Sequence, residues 1–249
     1  MEEDIADLMN NKPITVITID DHPLIREAIR NLLSGRNDME LVGEGWAGEH
    51  FLTLVEQYQP DVVILDLGMP QFAEGQRLER FAALPALVVL NKQFPQTAII
   101  ILSQYAMKSI IQEAIEVGVK GYLLKSDNLS LNLTGAIEAV HRGGVYFSQE
   151  ISQLLFQQTT AGGGHNLLTE RQKEIILAIA RKPDASYSQI ASELYISEST
   201  LKGHLYNAFK ALHVTNITAC IIHCMQQGFI PFVINERGQI EFGVLESQV

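Results

Sequence analysis

Acidic residues stand directly after two apolar runs of this sequence. The run 14–19 is followed by Asp20 and Asp21, and the run 62–65 is followed by Asp66. Runs of β-branched and aliphatic residues are typical of strands that are buried on both faces of a parallel sheet. Because the carboxyl ends of parallel strands open into one crevice, we expect the three carboxylates to meet there.

Three carboxylates in one crevice repel each other unless a cation neutralises them. Hard oxygen ligands with room for water favour Mg²⁺. Two further apolar runs also end on polar side chains, the hydroxyl of Ser103 and the ammonium of Lys125. The sequence therefore predicts a site of carboxylates, a hydroxyl and a cationic side chain at one edge of a sheet.

Strand-like and helix-like patterns alternate through the first half of the chain. This alternation predicts a parallel sheet with helices on both faces. The predicted strands are 14–19, 39–43, 62–66, 99–102 and 120–124, and the predicted helices are 23–34, 47–58, 85–94, 108–117 and 129–141.

Residues 13 to 145 resemble the receiver domain of two-component response regulators. The resemblance lies in four pieces in the expected order: Asp20-Asp21-His22-Pro23, Asp66-Leu67-Gly68-Met69-Pro70, Leu102-Ser103 and Gly121-Tyr122-Leu123-Leu124-Lys125. It implies a doubly wound, five-stranded, flavodoxin-like fold that accepts a phosphoryl group from a histidine kinase or a small phosphodonor.

The same resemblance implies a role for each residue of the site. Asp66 is the expected phosphoacceptor, and Ser103, Tyr122 and Lys125 are the expected switch residues. The expected Mg²⁺ ligands are Asp20, Asp21, Asp66 and the backbone carbonyl of Gly68.

The connection after the expected phosphoacceptor is long. Residues 71–84 precede the next predicted helix, whereas loops between a strand and a helix in such folds usually have about 2 to 6 residues. A tolerated surface insertion is one interpretation, since surface loops lengthen at low cost. The other is that this segment covers the site or forms a partner surface.

The second half of the chain has the pattern of a small helical domain. A run of three glycines, 162–164, predicts a linker with a boundary near residue 162, after a short helix over 149–158. Thr169 and Ser197 are predicted N-caps, and four helices are expected up to Gly228. Two helices that meet at a tight turn before a third are typical of a helix-turn-helix.

Residues 165 to 230 resemble the DNA-binding domain of NarL/FixJ and LuxR-type regulators. The resemblance rests on Leu168-Thr169-Glu170-Arg171-Gln172, on the stretch 194–204 and on Lys210-Ala211-Leu212-His213-Val214. It implies a homodimeric transcription regulator that contacts double-stranded DNA, without enzymatic activity. The expected DNA contacts are Thr200, Lys202, His204 and Lys210.

These patterns divide the chain into four segments. They are a receiver over 13–147, a helical and glycine-rich linker over 148–165, a helix-turn-helix domain over 166–230 and a C-terminal extension over 231–249. Two short apolar stretches in the extension, 232–234 and 239–242, are expected to pair as a hairpin.

Charge leaves the strength of DNA binding open. The net charge is −10 over residues 1–150 but +1 over 151–230. A charge of +1 is low for a DNA-binding domain, because non-specific affinity comes from neutralising phosphates. Gly203 in the recognition helix also lowers helix stability. The alternative is therefore a regulator that acts through protein contacts, with weak or no DNA binding.

Two other classes of protein are less well supported. A metal-dependent phosphohydrolase would also use an aspartyl nucleophile, but no second acid follows Asp66 closely to protonate a leaving group. A membrane protein is not indicated, because no apolar run approaches the roughly 18 to 20 residues of a span. The acidic N-terminus is unlike a signal peptide, so a cytoplasmic location is expected.

Overall fold

The computed structural model of the chain describes residues 12–74, 79–156, 167–235 and 240–242. Within these ranges no helix is both long and apolar enough to cross a membrane. The glycines of the expected linker and the last residues of the extension, 243–249, lie outside the described ranges.

The N-terminal half forms a parallel sheet of six strands in the order β2-β1-β3-β4-β5-β6. The strands are β1 (Ile14–Ile19), β2 (Met39–Gly45), β3 (Val62–Leu65), β4 (Ala98–Ser103), β5 (Gly121–Leu124) and β6 (Tyr146–Phe147). The prediction of five strands is one too few, because a sixth strand, β6, pairs with the edge of β5. Two residues are too few to show a period in the sequence, so β6 could not be predicted.

Helices cover both faces of this sheet, as predicted. They are α1 (Pro23–Ser34), α2 (Glu49–Tyr58), α3 (Ala83–Gln93), α4 (Lys108–Glu116) and α5 (Leu129–His141). Buried residues of α1 and α5 pack with one face of the sheet, and those of α2, α3 and α4 pack with the other. The two apolar layers hold the strand ends in a fixed relation, and those ends carry the polar residues of interest.

The C-terminal half is a bundle of four helices, as expected. After α6 (Gln149–Phe156) come α7 (Glu170–Arg181), α8 (Tyr187–Glu193), α9 (Glu198–Leu212) and α10 (Ile217–Gln226). Both predicted N-caps are confirmed: Thr169 accepts a hydrogen bond from the Gln172 amide at 3.2 Å, and Ser197 accepts one from the Thr200 amide at 3.1 Å. Each bond satisfies an amide at the start of a helix that has no partner within the helix.

The predicted C-terminal hairpin is present. Strand β7 (Phe232–Ile234) pairs antiparallel with β8 (Ile240–Phe242), and residues 236–239 between the strands lie outside the described ranges. The Phe232 ring lies 4.9 Å from the Phe156 ring at the end of α6. Gln226 in α10 also donates to the Leu155 carbonyl at 3.1 Å. Helix α6 thus contacts the C-terminal domain, although the sequence assigned it to a linker.

The two halves also meet at the C-terminal end of α4. Thr215 Oγ1 and Asn216 Nδ2 both donate hydrogen bonds to the Glu116 carbonyl at 3.0 Å. Asn216 Oδ1 meanwhile accepts from the Ala219 amide at 2.8 Å and caps α10. The last carbonyls of a helix have no partner within that helix, so these side chains satisfy a group that otherwise needs water.

Replacing Asn216 by Asp separates the two roles of this side chain. Aspartate caps a helix as well as asparagine does, but it cannot donate to Glu116 and places a negative charge at the negative end of α4. We expect the Asn216→Asp variant to weaken the contact between the halves by about 1 to 2 kcal/mol. Small-angle X-ray scattering should then show a larger radius of gyration at unchanged helix content.

The matched control is Asn207→Asp, which makes the same chemical change at an exposed position of α9. Its scattering should equal that of the parent protein. An unchanged radius of gyration for Asn216→Asp would show that this contact does not hold the halves together.

Candidate functional site

The strand register brings the predicted site residues to one edge of the sheet. Next to β1, the Asp66 amide donates to the Ile19 carbonyl at 2.9 Å, so Asp66 lies beside Asp20. At the neighbouring pair of strands, the Lys125 amide donates to the Ser103 carbonyl at 2.8 Å. Four polar side chains from four strands therefore converge where the sheet ends.

Lys125 forms ion pairs with two buried carboxylates. Its Nζ lies 2.8 Å from Asp20 Oδ2 and 2.8 Å from Asp66 Oδ2. The side chains of Lys125, Asp20 and Asp66 are only 9%, 2% and 3% exposed, respectively. Charges that are this deeply buried are tolerated only when they are paired, so each member depends on the others.

Asp21 and His22 complete an acidic group around this ion pair. One ligand atom from each of Asp20, Asp21, His22 and Asp66 lies within 4.8 Å of the others. Three carboxylates and the one ammonium of Lys125 leave a net charge of about −2 when His22 is neutral. The donor set and this charge fit a divalent cation with hard oxygen ligands.

His22 is a member of this group that sequence reasoning did not single out. Its Nδ1 lies 2.8 Å from Asp21 Oδ1 and 3.2 Å from Asp20 Oδ1. The adjacency of His22 to two aspartates was the available signal. The sequence could not show that the ring points toward both carboxylates, because this orientation depends on the backbone conformation at the start of α1.

The surroundings of Asp20 disfavour its charged form. Burial raises the pKa of the Asp20 carboxyl above its ordinary value, while the hydrogen bond from Lys125 acts in the opposite direction. A bound cation would favour the ionised carboxylate. The shift therefore agrees with a site that needs more positive charge than Lys125 supplies.

The backbone amide and the backbone carbonyl of Gly68 both form hydrogen bonds at the site. Its amide donates to Asp66 Oδ1 at 2.9 Å, which fixes that carboxylate, and its carbonyl accepts from Arg80 Nη1 at 3.4 Å. An open cavity of about 270 Å³ lies beside it. The cavity is lined by Asp21, Trp46, Gly68, Pro70, Ala73 and Arg80.

Ser103 and Tyr122 lie together on the other side of the site. Ser103 Oγ donates to the Tyr105 carbonyl at 3.2 Å, and the Tyr122 ring is buried. Burial raises the pKa of the Tyr122 hydroxyl, and the nearby Ser103 hydroxyl opposes that shift. The Tyr122 side chain is therefore directed into the interior near Ser103, and its role as a switch residue stays a prediction.

The predicted DNA contacts lie mostly on the open side of α9. Thr200, Lys202 and Lys210 are exposed, whereas His204 is half-buried. Lys202 Nζ lies 2.6 Å from Glu198 Oε1, so its charge is partly compensated. No atom lies within 4 Å of a Cβ built on Gly203, so close packing does not require a glycine there.

Two tyrosines on this surface were missed by sequence reasoning. Tyr206 in α9 is 68% exposed, and Tyr195 in the turn before α9 is 95% exposed. Each could have been a core aromatic, and the sequence offered no signal to decide. Exposed rings on a helix-turn-helix are suited to contacts with the sugars and bases of DNA.

Comparison with known proteins identifies both halves of the chain. Residues 16–134 match the response regulator receiver domain, and residues 166–224 match the luxR family of bacterial regulatory proteins. The described site lies in the first match, and α9 lies in the second.

The similarity to transcriptional regulatory proteins covers nearly the whole chain. The uncharacterized transcriptional regulatory protein YxjL of Bacillus subtilis is 30% identical, with 89% of this chain and 100% of the relative covered. The transcriptional regulatory protein DegU of Brevibacillus brevis is 27% identical, with 89% and 97% covered. A structure of the RcsB response regulator of Salmonella typhimurium has the same fold, with a TM-score of 0.50 at 23% identity, covering 85% of this chain and 99% of that one.

The acidic strand ends and Lys125 lie in the part that matches the receiver domain. The helix-turn-helix lies in the part that matches the luxR family. The chain belongs to the two-component response regulators of the NarL/FixJ type, transcription regulators with a receiver domain and a LuxR-type helix-turn-helix domain.

Proposed function

We propose that transfer of a phosphoryl group to Asp66, with Mg²⁺ bound, switches this regulator between states that differ in DNA affinity. The observation that carries the proposal is the environment of Asp66, a buried carboxylate held between the ammonium of Lys125 and the amide of Gly68. These two contacts fix the orientation of the carboxylate that serves as the nucleophile. The donor is a histidine kinase or a small acyl phosphate.

In this transfer, an oxygen of Asp66 attacks phosphorus and the bond from phosphorus to the donor atom breaks. Lys125 then pairs with the oxygens of the transferred group, and the Ser103 hydroxyl donates to one of them. The Lys125 ammonium offsets the negative charge that spreads over the phosphoryl oxygens during transfer, and the Ser103 hydroxyl stabilises that charge with a hydrogen bond. Positioning and charge compensation thus account for the role of each side chain.

The metal site that we propose consists of Asp20, Asp21, Asp66 and the Gly68 carbonyl. The net charge of the described carboxylates and Lys125 supports a divalent cation there. A bound Mg²⁺ would supply positive charge that offsets the negative charge of the carboxylates and of the incoming phosphoryl group. His22 orients Asp21 through its Nδ1 contact of 2.8 Å.

The switch that we propose runs from Ser103 and Tyr122 to α4. Recruitment of Ser103 to the phosphoryl group breaks its hydrogen bond to the Tyr105 carbonyl and changes the start of the loop into α4. The other end of α4 carries the hydrogen bonds from Thr215 and Asn216. The face formed by α4, β5 and α5 is therefore the proposed bistable element.

The proposed output is binding of a homodimer to double-stranded DNA through Thr200, Lys202, His204 and Lys210. The segments 13–147, 148–165, 166–230 and 231–249 remain our proposed division of the chain. Both the phosphodonor and the DNA place this activity in the cytoplasm. Pairing of Lys202 with Glu198 favours the second candidate, a regulator that acts through protein contacts with little DNA affinity.

Phosphorylation is tested with acetyl phosphate and Mg²⁺, with intact mass as the measurement. We expect the parent protein to gain the mass of one phosphoryl group and Asp66→Asn to gain none, because the amide is not nucleophilic. The control Asp184→Asn, which changes an exposed carboxylate of the other domain, should be modified like the parent. Modification of Asp66→Asn to the same extent would contradict the assignment.

Metal binding is tested by titrating Mg²⁺ at several pH values while recording the fluorescence of Trp46, the single tryptophan of the chain. Protons compete with the cation for Asp20, whose pKa is raised above the ordinary 3.8. We therefore expect affinity to fall on acidification at a higher pH than for ordinary aspartates. Asp20→Asn should bind more weakly at neutral pH and show a flatter dependence; equal affinities would exclude Asp20 as a ligand.

DNA binding is tested by measuring duplex affinity over a range of salt concentrations. Lys202→Ala should weaken binding and reduce the slope of log affinity against log salt by about 0.9 if one phosphate contact is lost. The control Lys92→Ala removes the same charge from an exposed position of α3 and should leave the slope unchanged. Absence of duplex binding by the parent at low salt would favour the protein-contact candidate instead.

A further inference from the structure

The long connection after Asp66 folds back on itself beside the site. The Gln71 amide donates to the Glu79 carbonyl at 2.8 Å, and the Phe81 amide donates to the Met69 carbonyl at 3.1 Å. Pro70 and Arg80 therefore lie opposite each other in an antiparallel bridge. The described parts of this connection form two paired arms, and the returning arm brings Arg80 next to the residues that follow the phosphoacceptor.

The start of α2 holds this pair of arms in place. The amides of Gly48 and Glu49 donate to the Pro70 and Gln71 carbonyls, both at 2.9 Å. These amides have no partner within α2, so the outgoing arm satisfies them.

An aromatic contact anchors the returning arm. The Phe81 ring packs edge-on against Phe51 of the core, with 5.7 Å between ring centroids. A Cβ on Gly48 would collide with the Phe81 side chain, so the close approach requires a glycine there. The described parts of the connection, 71–74 and 79–82, are thus packed against the domain, which favours the interpretation that the connection serves the site.

Arg80 extends from this anchored arm toward the acidic group. Its Nη1 donates to the Gly68 carbonyl at 3.4 Å, and its side chain lines the 270 Å³ cavity together with Asp21 and Trp46. Among the residues that the structure describes, no carboxylate lies within ion-pair distance of its guanidinium. Its charge is therefore available to a ligand that enters the cavity.

We propose that Arg80 is an additional phosphoryl-binding residue, which contacts the phosphoryl group of the donor and of phosphorylated Asp66 from the side of the Gly68 carbonyl. This inference rests on the proposed function of Asp66. Conversion of the carboxylate to an acyl phosphate adds negative charge and acceptor oxygens that Lys125 alone does not cover. A guanidinium presents paired donors that match such oxygens.

The position of Arg80 predicts opposite effects on the two kinds of ligand. A cation at Asp20 and Asp21 is repelled by a nearby guanidinium, whereas a phosphoryl group is attracted. Removal of the Arg80 charge should thus leave Mg²⁺ affinity unchanged or higher and should lower the affinity for a phosphoryl group. Loss of a merely structural contact would weaken both ligands together.

The test is a titration of the full-length protein with Mg²⁺ alone and then with beryllofluoride at saturating Mg²⁺, followed by Trp46 fluorescence. Beryllofluoride binds aspartate carboxylates noncovalently as a phosphoryl mimic, so no turnover is needed. We expect Arg80→Gln to raise the dissociation constant for beryllofluoride about tenfold. Arg80→Lys, which keeps the charge without the paired donors, should fall between Arg80→Gln and the parent.

The matched control is Arg30→Ala, which removes an arginine of α1 that pairs with Glu44 at 2.6 Å. Its two affinities should equal those of the parent. Equal beryllofluoride affinity in the parent and Arg80→Gln would overturn the role of Arg80 while leaving Asp66 as the phosphoacceptor. A parent that binds Mg²⁺ but no beryllofluoride would overturn the proposed function of Asp66, and the role of Arg80 with it.

Discussion

The ion pairs of Lys125 with Asp20 and Asp66 are the interaction on which the rest of the structure depends. They bury three charges at the ends of β1, β3 and β5, and because Lys125 is shared by both carboxylates, its removal would leave two buried negative charges without compensation. The apolar sheet and its two helical layers fix the distances between these groups. The fold therefore holds together a group of side chains whose net charge is negative. This excess of negative charge favours the binding of a cation, either alone or together with a phosphoryl donor.

Much of the receiver could be predicted from the sequence because local patterns determine it. Apolar runs that end on Asp20, Asp66 and Lys125 specified both the strands and their common edge. Arg80 could not be predicted, because its position depends on pairing between two arms and on a ring packed over Gly48. The contact of Asn216 with α4 was equally hidden, since the sequence shows that residue only as a helix cap.

The arrangement of the two halves leaves the recognition helix open. Tyr206 and the Lys202 side chain are 68% and 60% exposed, so the receiver does not cover this surface. The end of α4 in the receiver instead contacts Thr215 and Asn216 at the start of α10. Regulation by uncovering of the recognition helix is therefore not required.

The hydrogen bonds from Thr215 and Asn216 attach the DNA-binding domain to the end of α4, so the domain can be bound to this helix or released from it. Two equilibria that share one contact are linked thermodynamically, and the linkage has the same magnitude in both directions. If a phosphoryl group on Asp66 loosens this contact, then a DNA duplex that draws the domain away must stabilise the phosphoryl group by the same factor. At equilibrium, the form that carries the phosphoryl group would then be most populated where the regulator is bound to its target.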